Sequence, residues 1–407
     1  MCMISPFENE LNERNMNISK IKIVSVQEAL LLLSLFFYPL NALDHTLYLI
    51  PQAALTLMAL WNTKIILTID RLLVILFGTL AFTIPAFVEF SSLSISFDLV
   101  LKLTINSLTI FALAVSPNFS LSENILKKIR MVVYAWLVII FLAYAEGGLA
   151  SLSSVVMTVA YGDSLGSSAL YGAASPLSDI FLTKNISAMF MVAVFALYIY
   201  LSVNFNKKVS NIMFITFFIL VMSFLSRQGL IGFLGVLFLY KFRSFGVIGK
   251  GVTIASAFIV VSYIFKKLFD LSSSEDGANE RIILWKYFFN KYGEFILFGL
   301  GQNELASELR TNIGIDNFHM FFMNQIGAYG ILHFITFSVF LFLIYAVGNG
   351  KFKIILVAAY FLNVLFQTFG YEFGNLFLFM AILMQIKDKG SKNKSEGLNI
   401  GKGYQPA

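Results

Sequence analysis

Twelve apolar segments follow one another along the 407 residues, and between them they leave the chain few ways to fold. Their approximate bounds are 24–42, 46–61, 70–90, 98–116, 131–148, 186–204, 211–226, 228–241, 250–267, 319–346, 353–368 and 373–386. A helix needs about 20 apolar residues to cross roughly 30 Å of hydrocarbon. Backbone groups in that medium must be bonded within the segment, which selects helices over open sheet. The expectation is an all-α polytopic membrane protein with about 12 transmembrane helices. It has a single transmembrane domain over 23–386, an N-terminal tail at 1–22 and a C-terminal tail at 387–407. Charged residues make up 13% of the chain, about half of what a soluble domain carries. Residues 1–19 are polar and mixed in charge, without the apolar stretch of a signal peptide.

Orientation follows from Lys and Arg, which concentrate in cytoplasmic loops. With the N-terminus inside, the predicted inner segments hold Arg14, Lys20 and Lys22, Lys64 and Arg71, Lys127, Lys128 and Arg130, Lys207 and Lys208, Lys241, Arg243 and Lys250, Lys351 and Lys353, and the five lysines after Gln385. Both termini are therefore expected in the cytoplasm, with the lipid bilayer as the principal surroundings. The net charge of +6 belongs to this topology, and no nucleic-acid partner is implied. Two outer loops are long, about 149–185 and about 266–318. Loops of that length in a compact protein generally have work to do.

The second loop is chemically the richer. Asn279 is expected to cap a helix from Glu280. Ile282, Trp285, Phe289 and Tyr292 recur at helical spacing, with Arg281 and Lys286 off that stripe, as in an amphipathic helix lying in the interface. Such a helix either anchors the loop or holds Arg281 against the phosphates of a lipid-linked substrate. Gly299-Leu300-Gly301 is either a turn back to the membrane or a phosphate cradle. Asp316, Asn317, Phe318 and His319 then lead into the tenth segment. His319 is placed at the lip of the bilayer, and histidine is the residue type best suited to proton transfer near neutral pH. His333, about 21 Å further along a straight helix, reads as an interhelical hydrogen bond, and His45 as part of a turn. Arg227 stands between two short apolar segments with almost no loop, so it marks the outer membrane edge. It is either a snorkelling helix-end arginine or a bidentate phosphate ligand. Arg310 and Lys266 are weaker candidates for the same task. The single cysteine, Cys2, allows no disulfide framework. No carboxylates stand at metal-ligand spacing, so neither metal nor cofactor is expected.

Arg281-x-x-x-Trp285, Gly299-x-Gly301, Asn317-Phe318-His319 and Gly327-x-x-Gly330, in that order, resemble the shared pattern of bacterial O-antigen polymerases (Wzy-type) and O-antigen ligases. The Ser226-Arg227 step fits the same pattern, and the resemblance covers roughly 211–346. Two positions depart from it: Met320 follows His319 where the family often has Asn, and Gln325 stands where an acid often precedes the glycine. The resemblance implies a GT-C-like, metal-independent glycosyltransferase in the bacterial inner membrane, its two long loops periplasmic. The implied donor is an undecaprenyl-diphosphate-linked oligosaccharide. The acceptor is another lipid-linked repeat unit for a polymerase, or lipid A core sugar for a ligase. In this reading Arg227 and Arg281 stabilise the departing diphosphate and His319 accepts the acceptor's proton. Arg310, Lys266, Trp285, Asp316 and Asn317 bind substrate. A chain-length regulator and a flippase are candidate partners. The rival from another class is a polysaccharide transporter or flippase, which would bind at the midplane through broken helices.

Overall fold

A computed structural model describes residues 23–41, 45–61, 68–91, 97–116, 119–147, 153, 172–252, 255, 277–348, 350–365, 367–368, 370–371 and 373–386. The two tails, most of the first outer loop and Lys266 lie outside the described residues. So does most of the ninth apolar segment.

The described chain is predominantly helical. Its helices are α1 (Ile23–Phe37), α2 (Leu49–Trp61), α3 (Ile69–Ser91), α4 (Phe97–Val115), α5 (Ile125–Gly147), α6 (Lys184–Asn204), α7 (Asn211–Met222) and α8 (Arg227–Phe242). After a helical stretch at 247–252 come α9 (Gly277–Phe295), α10 (Gln302–Ile313), α11 (Phe321–Val347), α12 (Ile354–Val364) and α13 (Phe373–Leu383). Eleven of the twelve apolar segments fall on α1 to α8 or α11 to α13, and these helices are not all of one length. Among the described residues, three helices are long and apolar enough to cross a membrane alone: Ile69–Phe90, Lys184–Asn204 and Phe321–Val347. At 1.5 Å per residue the 11 to 13 residues of α2, α7, α12 and α13 reach only about 17–20 Å. Two boundaries also move. Helix α5 begins at Ile125, six residues early, and takes in Lys127, Lys128 and Arg130. Helix α9 is described from Gly277, so Asn279 lies within it and not ahead of a helix beginning at Glu280.

Helix α6 is the central post. It is buried continuously from Ser187 to Val203, with α5, α7, α8, α12 and α13 packed around it. Helices α8 and α6 approach closely at Gly229, where a Cβ would stand 2.6 Å from that of Ala188. A second group joins α2, α3, α4 and α11, with α3 and α11 in the most extensive contact of the molecule. Phe87 on α3, Met131 and Phe141 on α5 and Phe342 on α11 remain largely exposed, as suits an outer surface solvated by lipid. A polar seam runs through the second group. Gln52 Nε2 donates to Asn106 Oδ1 (2.8 Å) and to Thr109 Oγ1 (3.1 Å). Asn106 Nδ2 donates to the Tyr371 carbonyl (2.7 Å), and the Tyr371 hydroxyl bonds the buried ring of His333. The same ring meets the Ala81 carbonyl of α3 at 2.9 Å, so His333 is an interhelical link.

The bundle has two chemically distinct ends. At one, Lys128 of α5 pairs with buried Glu28 of α1 at 2.7 Å, and Lys207 pairs with Glu123 at 3.0 Å. There the short parallel strands β1 (Ser120–Leu121) and β2 (Gln385–Ile386) meet, and Asn204 bonds Lys351. At the other end the exit of α1 bridges Phe181 before α6, Tyr144 of α5 donates to the Ser223 carbonyl, and Ser226 reaches Asn185. Segments expected to be inner thus meet one another, and those expected to be outer do likewise.

Candidate functional site

Helix α9 has two apolar faces. Leu284, Phe288 and Phe295 are buried where α9 packs on α11. Phe288 stands edge-on to Phe318 with ring centroids 5.3 Å apart. The anticipated stripe lies about a quarter-turn away: Trp285 is 38% exposed and Phe289 68%, the disposition of side chains offered to an interface. Arg281 is half-buried between the two faces. The helix is tied to α10 by polar contacts. Tyr287 donates to Glu308 Oε1 (2.6 Å), and Asn312 Nδ2 donates to the Tyr287 oxygen (3.1 Å). Partial burial and the Glu308 carboxylate push the Tyr287 phenol up to about 12, so it stays a donor throughout the neutral range.

The glycine motifs make one structural device. Helix α11 is broken at Gly330 (φ 82, ψ 173), a conformation that essentially only glycine adopts. The segment after α9 docks into the break. Leu300 N–H donates to the Gly327 carbonyl (2.9 Å), Gly301 N–H to that of Ala328 (2.8 Å), and Ile331 N–H to that of Ile296 (2.6 Å). Backbone groups released by the break are thereby bonded again, as an apolar medium demands. Gly299 and Gly301 both have positive φ (69 and 84). A Cβ on Gly299 would fall on the backbone of Ala328, and one on Gly330 on the backbone of Leu297. Gly299-Leu300-Gly301 is thus a clasp on α11. The straight-helix distance from His319 to His333 does not hold across it.

Glu89, near the end of α3, closes the clasp from the other side. It is 2% exposed and accepts from Gln302 N–H, at the first turn of α10 (2.7 Å), and from the Tyr329 hydroxyl (3.1 Å). A carboxylate at a helix N-terminus is favoured by the backbone dipoles. Glu89 is not among the anticipated site residues. The signal available was a lone acid between Val88 and Phe90 at the end of an apolar run.

Four of the anticipated site residues form a continuous chain of contacts from the last turn of α10 onward. Arg310 Nη2 lies 3.6 Å from Asp316 Oδ2, Asn317 Nδ2 donates to Asp316 Oδ1 (2.7 Å), and the His319 N–H donates to Asn317 Oδ1 (2.9 Å). Asp316 is therefore linked to the backbone of His319 through Asn317. His319 is half-buried and left-handed (φ 51), a strained setting that Asn317 supports. Phe318 is buried beside Gly327, and its N–H donates to Asn324 Oδ1 (3.4 Å). One residue further, the buried Gln325 Oε1 has no hydrogen-bond partner among the described residues.

Arg227 is built into a different part. It is the first residue of α8, exposed, and follows Ser226, whose hydroxyl accepts from Gly229 N–H and donates to Asn185 Oδ1 (2.8 Å). Leu225 before it is also left-handed (φ 51). Lys184, at the start of α6, lies within electrostatic range of Arg227 and is a cation the sequence reading did not single out. Helix α8 packs on α6 and α12, whereas α9 and α10 pack on α11. The structure therefore groups Arg310, Asp316, Asn317 and His319, sets Arg281 and Trp285 on the adjoining α9, and puts Arg227 with Lys184. Among the described residues no group of His, Cys, Asp and Glu is placed to hold a metal ion. Comparison with protein-family models, curated proteins and solved structures finds no match to this chain.

Proposed function

We propose that this protein is a membrane-embedded glycosyltransferase, an O-antigen or related surface-polysaccharide polymerase. It joins undecaprenyl-diphosphate-linked repeat units at the outer face of the bacterial inner membrane, in a polytopic fold of about 12 crossings with both termini cytoplasmic. The observation that carries the reading is the convergence of four separated sequence motifs on one unit. Helix α9 with Arg281 and Trp285 packs on α11, Gly299 and Gly301 clasp Gly327 to Gly330, and Phe318 before His319 packs into the same junction. Left-handed turns deliver both Arg227 and His319, and such strain gathers at functional sites. Loss of a lipid diphosphate builds negative charge on the leaving group, which fixed cations stabilise. In this reading Arg281, on the clasped unit, and Arg227 with Lys184, on a separate part of the bundle, take that role. His319 takes the proton from the acceptor hydroxyl, help worth about 10²–10⁴-fold.

A ligase would use the same parts with a different acceptor. Glycan analysis of a deletion strain separates the two: lipopolysaccharide bearing a single repeat unit marks a polymerase, and core without any O-antigen marks a ligase. Complementation with Arg281→Ala or His319→Ala, at normal expression, should leave the deletion phenotype in place; full-length polymer from either variant removes that residue from the mechanism. A transporter is the second reading, because the break in α11 is a device transporters use. Here the opened backbone is bonded to the chain's own clasp, which leaves those carbonyls engaged. Movement of lipid-linked glycan across liposomes without glycosidic bond formation would favour transport.

A further inference from the structure

The end of the bundle away from the candidate site holds a cavity of about 390 Å³ where the first turns of α5 and α7 meet the end of α6. Its walls carry Lys127, Arg130, Lys207 and Lys208, with one acid, Glu123. That acid is paired with Lys207 at 3.0 Å, and Lys128 next door is taken up by Glu28. Lys127, Arg130 and Lys208 have no carboxylate partner among the described residues. Three cations therefore face one concavity, where like charges repel at short range unless an anion is shared. Hydroxyl donors are also present, from Tyr198, buried in the wall, and from Ser210 at the cap of α7, whereas the Ser202 hydroxyl donates to the Tyr198 carbonyl at 2.8 Å. Two helix N-termini, those of α5 and α7, open on the cavity against the single C-terminus of α6, a balance of dipoles that favours negative charge.

We propose that this cavity is a binding site for a phosphate-bearing anion, separate from the glycosyl-transfer site and independent of that assignment. Compact cations, an arginine fork and hydroxyl donors around a volume of this size match a phosphate or diphosphate group. Two sources present that chemistry at such a position, the headgroup of an anionic lipid and a soluble phosphate compound.

Lysine acetylation footprinting of the full-length wild-type protein tests the proposal without relying on a variant that must fold. The protein is reconstituted in nanodiscs of phosphatidylcholine alone, of phosphatidylcholine with phosphatidylglycerol, or of phosphatidylcholine with inorganic pyrophosphate added. At ligand about tenfold above its Kd, acetylation of Lys127 and Lys208 should slow about tenfold, by mass action. Lys241 and Lys351, exposed elsewhere on the chain, should be unchanged. Protection by phosphatidylglycerol alone identifies a lipid headgroup, and protection by pyrophosphate in neutral discs identifies a soluble anion. The triple variant Lys127→Gln/Arg130→Gln/Lys208→Gln should weaken binding about a hundredfold, at roughly fivefold per cation. Lys241→Gln/Lys250→Gln/Lys351→Gln, with the same change of net charge, should bind as wild type. Equal protection of Lys127, Lys208, Lys241 and Lys351, or none under either condition, overturns the site.

Discussion

Replacing Gly330 by alanine tests whether the clasp on α11 is what holds the break open. A Cβ at this position would stand 2.7 Å from the Phe298 nitrogen and closer still to the Leu297 carbonyl. Both neighbours are backbone, so no rotamer change relieves the overlap. The backbone conformation adds about 1–3 kcal/mol for any residue but glycine. The chain escapes both costs by releasing the segment 296–301, at the expense of three backbone hydrogen bonds. At about 1 kcal/mol net for each bond, release costs about 3 kcal/mol, or roughly a hundredfold in the opening equilibrium. Hydrogen exchange read by mass spectrometry should show that loss of protection at Leu300 and Gly301. If α11 heals into a continuous helix, Ile331 stays protected while those two amides do not. Gly299→Ala should behave alike, since its Cβ would fall on Ala328. Gly293→Ala is the internal control: it lies within α9 with nothing within 4 Å of a new Cβ, and should be neutral or stabilising by about 0.5–1 kcal/mol. Wild-type exchange at Leu300 and Gly301 in Gly330→Ala would refute the docking argument.

Two further outcomes follow from the polar contacts around this unit. Glu89→Ala leaves Gln302 N–H and the buried Tyr329 hydroxyl without this acceptor, and should cost about 2–4 kcal/mol; Glu89→Gln keeps an acceptor oxygen and should cost less. Thermal unfolding in detergent measures both, and an unchanged midpoint for the alanine variant would show that Glu89 does not secure the clasp. Tyr287 has a folded pKa raised from 10.0 to about 12, so the folded state retains a proton that the unfolded state gives up first. The stabilisation is complete below pH 10 and declines as pH rises through about 12. A tyrosinate absorbance titration of wild type against Tyr287→Phe would contradict this if the difference phenol titrated near 10.

The helices were legible because apolar runs must bond their own backbone, and every run but the ninth, which lies almost wholly outside the described residues, falls on a described helix. Their ends were less so. Hydropathy stops at charged residues, yet Lys127, Lys128 and Arg130 are good helix formers and extend α5 beyond its apolar part. The stripe of Trp285 and Phe289 was readable by spacing, but α9 is apolar on a second face, and nothing in the pattern said that Leu284 and Phe288 would be the buried pair. The chain of contacts from Arg310 to His319 was partly visible because its last three polar members are near neighbours in sequence. The clasp was not. Glycine is common in apolar helices, and a break at Gly330 becomes apparent only when Gly299, distant in sequence, is seen to occupy it. Lys184 beside Arg227 is equally a product of tertiary packing, since α6 and α8 are brought together through Ala188 and Gly229.

The near-complete burial of α6 has a mechanical consequence. A helix enclosed by protein along its length has little boundary with acyl chains, so a thinner or thicker bilayer reaches it only through its neighbours. The load of hydrophobic mismatch falls instead on α3 and α11, which expose much of their length and bear on each other. Those two helices carry Glu89 and the hinge at Gly330. Membrane thickness therefore acts first on the helices that hold the clasp, while the post at the centre keeps its shape.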